Sequence, residues 1–352
     1  MISRTLTGAP ERHRWYDLDR AKFMVKLFAR SQCLSVLMLL APPLFSGAAS
    51  AQVEVKQSSP DQISVSIDGQ PFSEFYVGKT YPKPFLAPLR TASGLIVTRK
   101  YPMENVAGET RDHQHHRGLF VGYGEINGVN FWENEFKYLS GQPKNYDPAK
   151  NGKMVLRKVN EVKSGKKSGK VEASFAWLGP NDAEFMEEKR TMIFTGGQDT
   201  RTIDVDFTLT AKQTMHFADT KEGFFAIRIA DSMTEKNGGM MTNSEGAQTE
   251  KNVWGKKANW VDYDGTVDGQ KVGIVIFDHP KNLNHPTRWH SRAYGLFAAN
   301  PFGLKDFDPN AKEEGGYELP AGQSLRFRYR VIMHPGDMPK KNIEKLYAEY
   351  AK

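Results

Sequence analysis

Apolar and polar residues alternate with period two along most of the chain after residue 52. Val53-Glu-Val-Lys and Ile63-Ser-Val-Ser-Ile67 show it most plainly, and such alternation predicts strands with one buried face. Asp68-Gly69 reads as a hairpin turn leading into a strand at Phe72–Val77. Further strands are predicted at Leu95–Tyr101, Lys153–Val162, Val171–Trp177, Glu184–Phe194, Arg201–Thr210, Phe224–Ile229, Val272–Phe277, Trp289–Ala298 and Leu325–Met333. No strand–helix alternation occurs, which argues against a doubly wound sheet. The one convincing helix is Pro339–Tyr350, with Ile343, Leu346, Tyr347 and Tyr350 on a single stripe. The expected fold is all-β: a large antiparallel β-sandwich with a C-terminal helix, forming one domain over 52–352.

Asn127-Gly128 is a strong two-residue hairpin signal inside Gly118–Phe136. Taken as the turn, it sets Tyr123 opposite Trp132, Gly122 opposite Glu133 and Gly124 opposite Phe131. The two glycines make room either for a ligand beside Glu133 or for a bulky core residue.

The N-terminus reads differently. Residues 33–45 form a short apolar run, with Lys26 and Arg30 before it and Ala49-Ser50-Ala51 after it. That is the pattern of a secretory signal over 1–51, with Met24 a plausible true start. It is too short and too proline-broken to span a bilayer. The expected location is therefore periplasmic or extracellular, with no membrane insertion once the signal is gone.

Charge then loses much of its apparent meaning. The chain carries a net charge of +7 in 352 residues, but residues 1–51 hold seven Lys/Arg against three Asp/Glu. No dense basic stripe follows, so nucleic acid is not an expected partner. The single Cys, Cys33, lies in the signal, which excludes thiol catalysis, Cys-ligated zinc and disulfides downstream.

Three stretches could carry chemistry. Asp112-His-Gln-His-His-Arg117 sets His113 and His115 on one side of an extended chain and His116 on the other. His-x-His suits either a divalent metal on His113 and His115 or proton transfer. Surface or capping roles fit as well. Asp278–His290 is a proline-bent loop with His285 and His290, and Asn284 between them. His216–Arg228 contains Lys221, Glu222 and Arg228, a candidate oxyanion grip beside a candidate base, or a surface ion-pair network. Trp254 could stack on a sugar face or sit in the core.

The stretches DHQHHRGLFVGYGEINGVNFW (112–132), FADTKEGFFAIRIA (217–230), VWGKKANWVDYDG (253–265) and VGIVIFDHPKNLNHPTRWHSRAYGLFAANPFG (272–303) resemble the PmoA-like family of exported bacterial proteins. The resemblance covers most of 70–335. It implies a β-sandwich akin to the galactose-mutarotase-like supersandwich and a setting in saccharide breakdown.

The resulting expectation is an exported carbohydrate-active hydrolase, lyase or epimerase acting on a small saccharide. His115, His116, Glu222, His285 and His290 are the catalytic candidates, with His116 or His290 as acid and Glu222 as base. Arg117, Glu133, Lys221, Arg228 and Asn284 would hold substrate, and Trp132 or Trp254 would stack on it. No cofactor is called for by any motif, and the His113/His115 metal stays open. A non-catalytic sugar-binding protein is the alternative. The sequence does not define the oligomeric state.

Overall fold

The computed structural model describes residues 52–139, 147–336 and 338–352. The apolar run 33–45, Cys33 and the start-site reading lie outside the described residues. The strands are β1 (Val53–Ser59), β2 (Gln62–Ile67), β3 (Gln70–Tyr76), β4 (Phe85–Leu86), β5 (Leu119–Tyr123), β6 (Lys153–Lys163), β7 (Ser168–Leu178), β8 (Glu184–Gly196), β9 (Arg201–Ala211), β10 (Met215–Phe217), β11 (Gly223–Arg228), β12 (Met240–Asn243), β13 (Trp260–Val267), β14 (Gln270–Asp278), β15 (Arg288–Ser291), β16 (Leu296–Asn300), β17 (Tyr317–Leu319) and β18 (Ser324–Pro335). Two eight-stranded sheets result, in the orders β1-β2-β3-β4-β5-β11-β16-β15 and β12-β13-β14-β18-β9-β8-β7-β6; β10 and β17 pair separately. All the pairings between these strands are antiparallel.

The period-two pattern explains the core. Inward residues of the first sheet, such as Phe75, Val121, Phe225 and Ile227, meet Phe175, Met192, Phe207 and Tyr329 of the second. Phe225 stacks on Tyr329 with centroids 4.3 Å apart, and Phe75 meets Phe175 edge-on at 6.1 Å. The outer face of the second sheet is also covered in part. The C-terminal helix, Lys340–Tyr350, lays Ile343, Leu346, Tyr347 and Tyr350 against Trp260, Val275, Phe277 and Ile332.

Three expectations change. Leu95–Tyr101 forms no strand, because its N–H groups are split between partners: Val97 donates to Leu89 O and Arg99 to Arg228 O. Trp289–Ala298 is two strands, since the chain reverses at Gly295 (φ 98°) and Arg292 N–H bonds back to Leu296 O. The Asn127-Gly128 turn forms, with Ile126 bridging Val129 and Phe131 N–H bonding Tyr123 O, but the returning segment builds no further ladder. Asn130 Oδ1 captures the N–H groups of Trp132 and Glu133 and holds them out of a strand. Phe131, not Trp132, is thus bonded to Tyr123, whose register partner on the other side is Gly223 of β11. Gly122 serves packing, because a Cβ there would sit 2.7 Å from Phe131 O.

One feature breaks the alternation silently. On β8 the inward face reads Met186, Glu188, Arg190, Met192, Phe194. Glu188 and Arg190 are both buried and meet at 2.5 Å, Trp177 Nε1 donates to Glu188, and the Arg190 guanidinium lies over Phe175. Glu188→Gln leaves that guanidinium buried without its counter-charge, so we expect a loss of about 3–5 kcal/mol in urea unfolding. A loss below about 1 kcal/mol would show that the pair is not what holds this part of the core.

Candidate functional site

Register across the first sheet aligns Phe85, Phe120, Ala226, Ala298 and His290 on neighbouring strands. Their sequence neighbours Leu119, Ile227, Phe297 and Trp289 belong to the inter-sheet core, so this row faces outward. Strands lie about 4.8 Å apart, which puts His290 roughly 14 Å from Phe120 with two alanines between them. The row is nevertheless fully buried: Trp132 packs on Phe120, His116 stacks over that ring, and both alanines are covered, so the candidate site is built from the loops on this face.

The first wall is the loop from Asp112 to Arg117. Asp112 Oδ1 accepts from Arg99 Nη1 at 2.6 Å and from Arg228 Nη2 at 2.7 Å. Arg99 also donates to the carbonyls of Asp112, His113 and His116, so one buried guanidinium shapes the whole loop. Burial alone would raise the Asp112 carboxyl, but His113, Arg228 and Arg99 hold it well below the usual range. His113 stacks on Tyr294 (4.9 Å, 5°) and on His116 (5.0 Å, 4°). His115 and His116 are fully buried, and burial with the nearby cations and histidines keeps both imidazoles neutral. Neither nitrogen of His116 has a hydrogen-bond partner among the described residues. His115 Nε2 lies 4.0 Å from Glu133 Oε1.

The opposite wall is Lys221, Glu222 and His290. The Lys221 peptide is held at both ends: its N–H donates to Asp306 Oδ2 at 2.9 Å, and its carbonyl accepts from His290 Nδ1 at 2.7 Å and Asn300 Nδ2 at 2.9 Å. A carbonyl only accepts, so Nδ1 of His290 carries the proton and Nε2 does not. That Nε2 is buried without a partner, and burial pushes His290 down to about 4. Lys221 Nζ pairs with Glu222 Oε1 at 3.0 Å. Gly124 lets Glu222 pass, because a Cβ there would lie 2.7 Å from Glu222 Cβ.

Glu133 and Glu222 are close enough to interact. Burial and the Glu222 charge raise the Glu133 carboxyl above its ordinary value, against His113, Lys83 and Lys221. Their side chains are 43% and 31% exposed, while the nitrogens of His116 and Nε2 of His290 are covered. The groups able to meet a ligand are thus the two carboxyls, Lys221 and His113. Tyr294 completes the rim. Burial raises its phenol, which lies in the field of Arg228, Arg292 and Glu222. Arg292 bonds Glu250 at 2.7 Å and spreads over the rings of Trp254 and Tyr294.

The residues expected from sequence separate accordingly. His115, His116, Glu133, Lys221, Glu222, Arg228, Trp254 and His290 form or back the candidate site. Arg117 does not: its guanidinium is taken by Glu135 (2.6 Å) and covers the Tyr81 ring. Trp132 is fully buried between Phe120 and His116, so it offers no free face. His285 is bound through Nδ1 to Asp278 at 2.7 Å in the 278–287 loop, and Asn284 donates to Pro301 O beside a separate cleft of about 480 Å³. Arg228 is buried and committed to Asp112. His113 and His115 belong to no group of three converging donors; among the described residues that geometry occurs at Asp262, Asp264 and His334, on the other sheet. Sequence reading passed over Lys83, Arg99, Tyr294, Arg292 and Glu250. The signal for Arg99 and Tyr294 lay only in their nearness to the histidine stretches once folded.

The fold and these side chains together define an antiparallel β-sandwich protein with a polar site on one outer sheet face. The chain belongs to DUF6807, a family of unknown function whose model matches residues 62–348. No curated protein matches the sequence. Among solved structures, it is similar to a galactose mutarotase-like protein from Clostridium acetobutylicum (11% identity, 82% of this chain and 99% of that one, TM-score 0.40). It is also similar to an alpha-galactosidase from Lactobacillus brevis (10%, 82% and 40%, 0.39) and to a galactose mutarotase related enzyme from Lactobacillus acidophilus (10%, 80% and 97%, 0.34). Among the described residues no helix is long and apolar enough to cross a membrane.

The Asp112 clamp has a testable pH signature. Its folded carboxyl lies below the unfolded value near 4, so its stabilisation is complete above that value and is lost as pH falls toward the folded one. Asp112→Asn should cost about 2 kcal/mol at pH 7, less than a fully buried pair because Asp112 is partly exposed. The gap to wild type in urea melts should narrow below about pH 4. A gap that does not change down to pH 3 would separate Asp112 from the two arginines.

Proposed function

We propose that this chain is an exported carbohydrate-active enzyme that moves protons on a saccharide or modified sugar, with Glu133 as the acid and Glu222 as the base. The observation that carries the reading is the pair of partly exposed carboxyls, Glu133 and Glu222. The two groups interact, yet their settings differ: one is raised by burial and its neighbour, the other carries an ammonium at 3.0 Å. Environments that push two carboxyls apart are how one site holds an acid and a base together. The acid role expected of His116 or His290 passes to Glu133, because the free imidazole nitrogens are covered.

Lys221 and His113 are placed to hold sugar oxygens, and Tyr294 and Trp254 supply aromatic edges beside them. His290 keeps Lys221 and Glu222 in place through the Lys221 carbonyl. Hydrolysis, elimination and epimerisation all need this acid–base pair. Export through the N-terminal signal, and a place within the PmoA-like set of proteins, are part of the same proposal.

The experiment is a thermal-shift and turnover screen of neutral, reduced and oxidised saccharides. On any substrate found, Glu133→Gln and Glu222→Gln should each lower kcat by roughly 10²–10⁴ while the Tm stays within a few degrees. Two variants that both keep more than a tenth of the wild-type kcat would sink the proposal and favour a sugar-binding role.

A further inference from the structure

We infer that Lys83 is a positioning residue for Glu133: its side chain ties down the chain on both sides of that carboxyl and sets its field from inside the protein. The inference rests on the reading of Glu133 as the acid.

Lys83 stands between Pro82 and Pro84, immediately before β4. Its side chain is fully buried. Nζ donates to Trp132 O at 2.7 Å and to Asn134 Oδ1 at 2.6 Å, the residues before and after Glu133. From the other side Asn130 Oδ1 accepts from the N–H groups of Trp132 and Glu133, both at 2.8 Å. Asn134 Nδ2 then donates to Gly152 O at 2.9 Å. Residues 132–134 form no strand, so these side-chain bonds do the work that a ladder does elsewhere. Without Lys83 the Trp132 carbonyl loses this donor, and Glu133 loses its link to the approach to β4.

The choice of lysine for this role is informative. Both acceptors are uncharged oxygens, and the third neighbour is the Phe120 ring at 5.3 Å. An ammonium in such a place is costly to keep charged. Burial pushes Lys83 down to about 7, with Arg117 adding to the effect and Glu135 and Glu133 opposing it. Its charge in turn acts on His115 and on Glu133. Glu133 also faces Glu222, His113 and Lys221, and the buried His115 lies 4.0 Å away with its imidazole held neutral, so Lys83 is the cation that reaches it from the buried side.

The test needs no substrate. In protein labelled with ¹³C at glutamate Cδ and lysine Cε, the Glu133 signal is assigned with Glu133→Gln and followed from pH 4 to pH 9. In Lys83→Met the Glu133 carboxyl should titrate at a higher pH than in wild type. In wild type, its signal should show a second inflection where Lys83 titrates, near neutral pH. A Glu133 curve unchanged in folded Lys83→Met, or a single inflection in wild type, overturns the inference. The wild-type arm decides the matter should Lys83→Met not fold. The proposed function is judged apart: a coupled pair with an active Glu133→Gln variant removes the acid role but keeps the positioning, and an uncoupled pair with an inactive variant does the reverse.

Discussion

Asp112 sits between two guanidiniums that have almost no access to water. Arg99 and Arg228 come from different parts of the chain, and each would be unstable in its place without the shared carboxylate. That requirement fixes where the 112–117 loop must lie. Once it lies there, His113 stacks on Tyr294, His116 fills the space above Phe120, and one side of the candidate site is built. Arg228 is the last residue of β11, so the clamp also fastens the loop to the strand that Glu222 immediately precedes. The geometry of the candidate site follows from these two ion pairs on one carboxylate and from the sheet register.

The two outer faces of the sandwich are used differently. On the second sheet, apolar residues of β13, β14 and β18 are capped by the C-terminal helix. On the first sheet, the outward positions of β11 and β16 are alanines, and they are covered by side chains from loops, Trp132 among them. Small residues there let that cover sit close to the sheet. The charged and aromatic groups of the candidate site are carried on this cover and on the strand ends beside it.

Much of the fold could be read from alternation. Strands such as β7, β9, β14 and β18 appear almost where the pattern places them, and the helical stripe at the C-terminus docks as a stripe should. The failures have physical causes. Alternation cannot reveal that Glu188 and Arg190 point inward, because a buried ion pair looks like two ordinary surface charges. It could not see the bend after Asn130, which depends on one side-chain oxygen taking two backbone donors. Around His113 the extended-chain reading put His113 and His116 on opposite sides. The positive φ of His113 (40°) breaks that geometry, and the two rings stack. The histidines drew attention to the correct region, but burial gave the exposed chemistry to the carboxyls beside them.

The candidate site takes its parts from well-separated stretches: Lys83 and Arg99, the loop at 112–117, Glu133, the turn at 219–222, Trp254, and the hairpin around 290–294. No contiguous piece of the sandwich contains a working subset. Such a site cannot be inherited by shuffling a short cassette into another scaffold. It can only be retuned in place, one wall at a time, while the register that brings the walls together is kept.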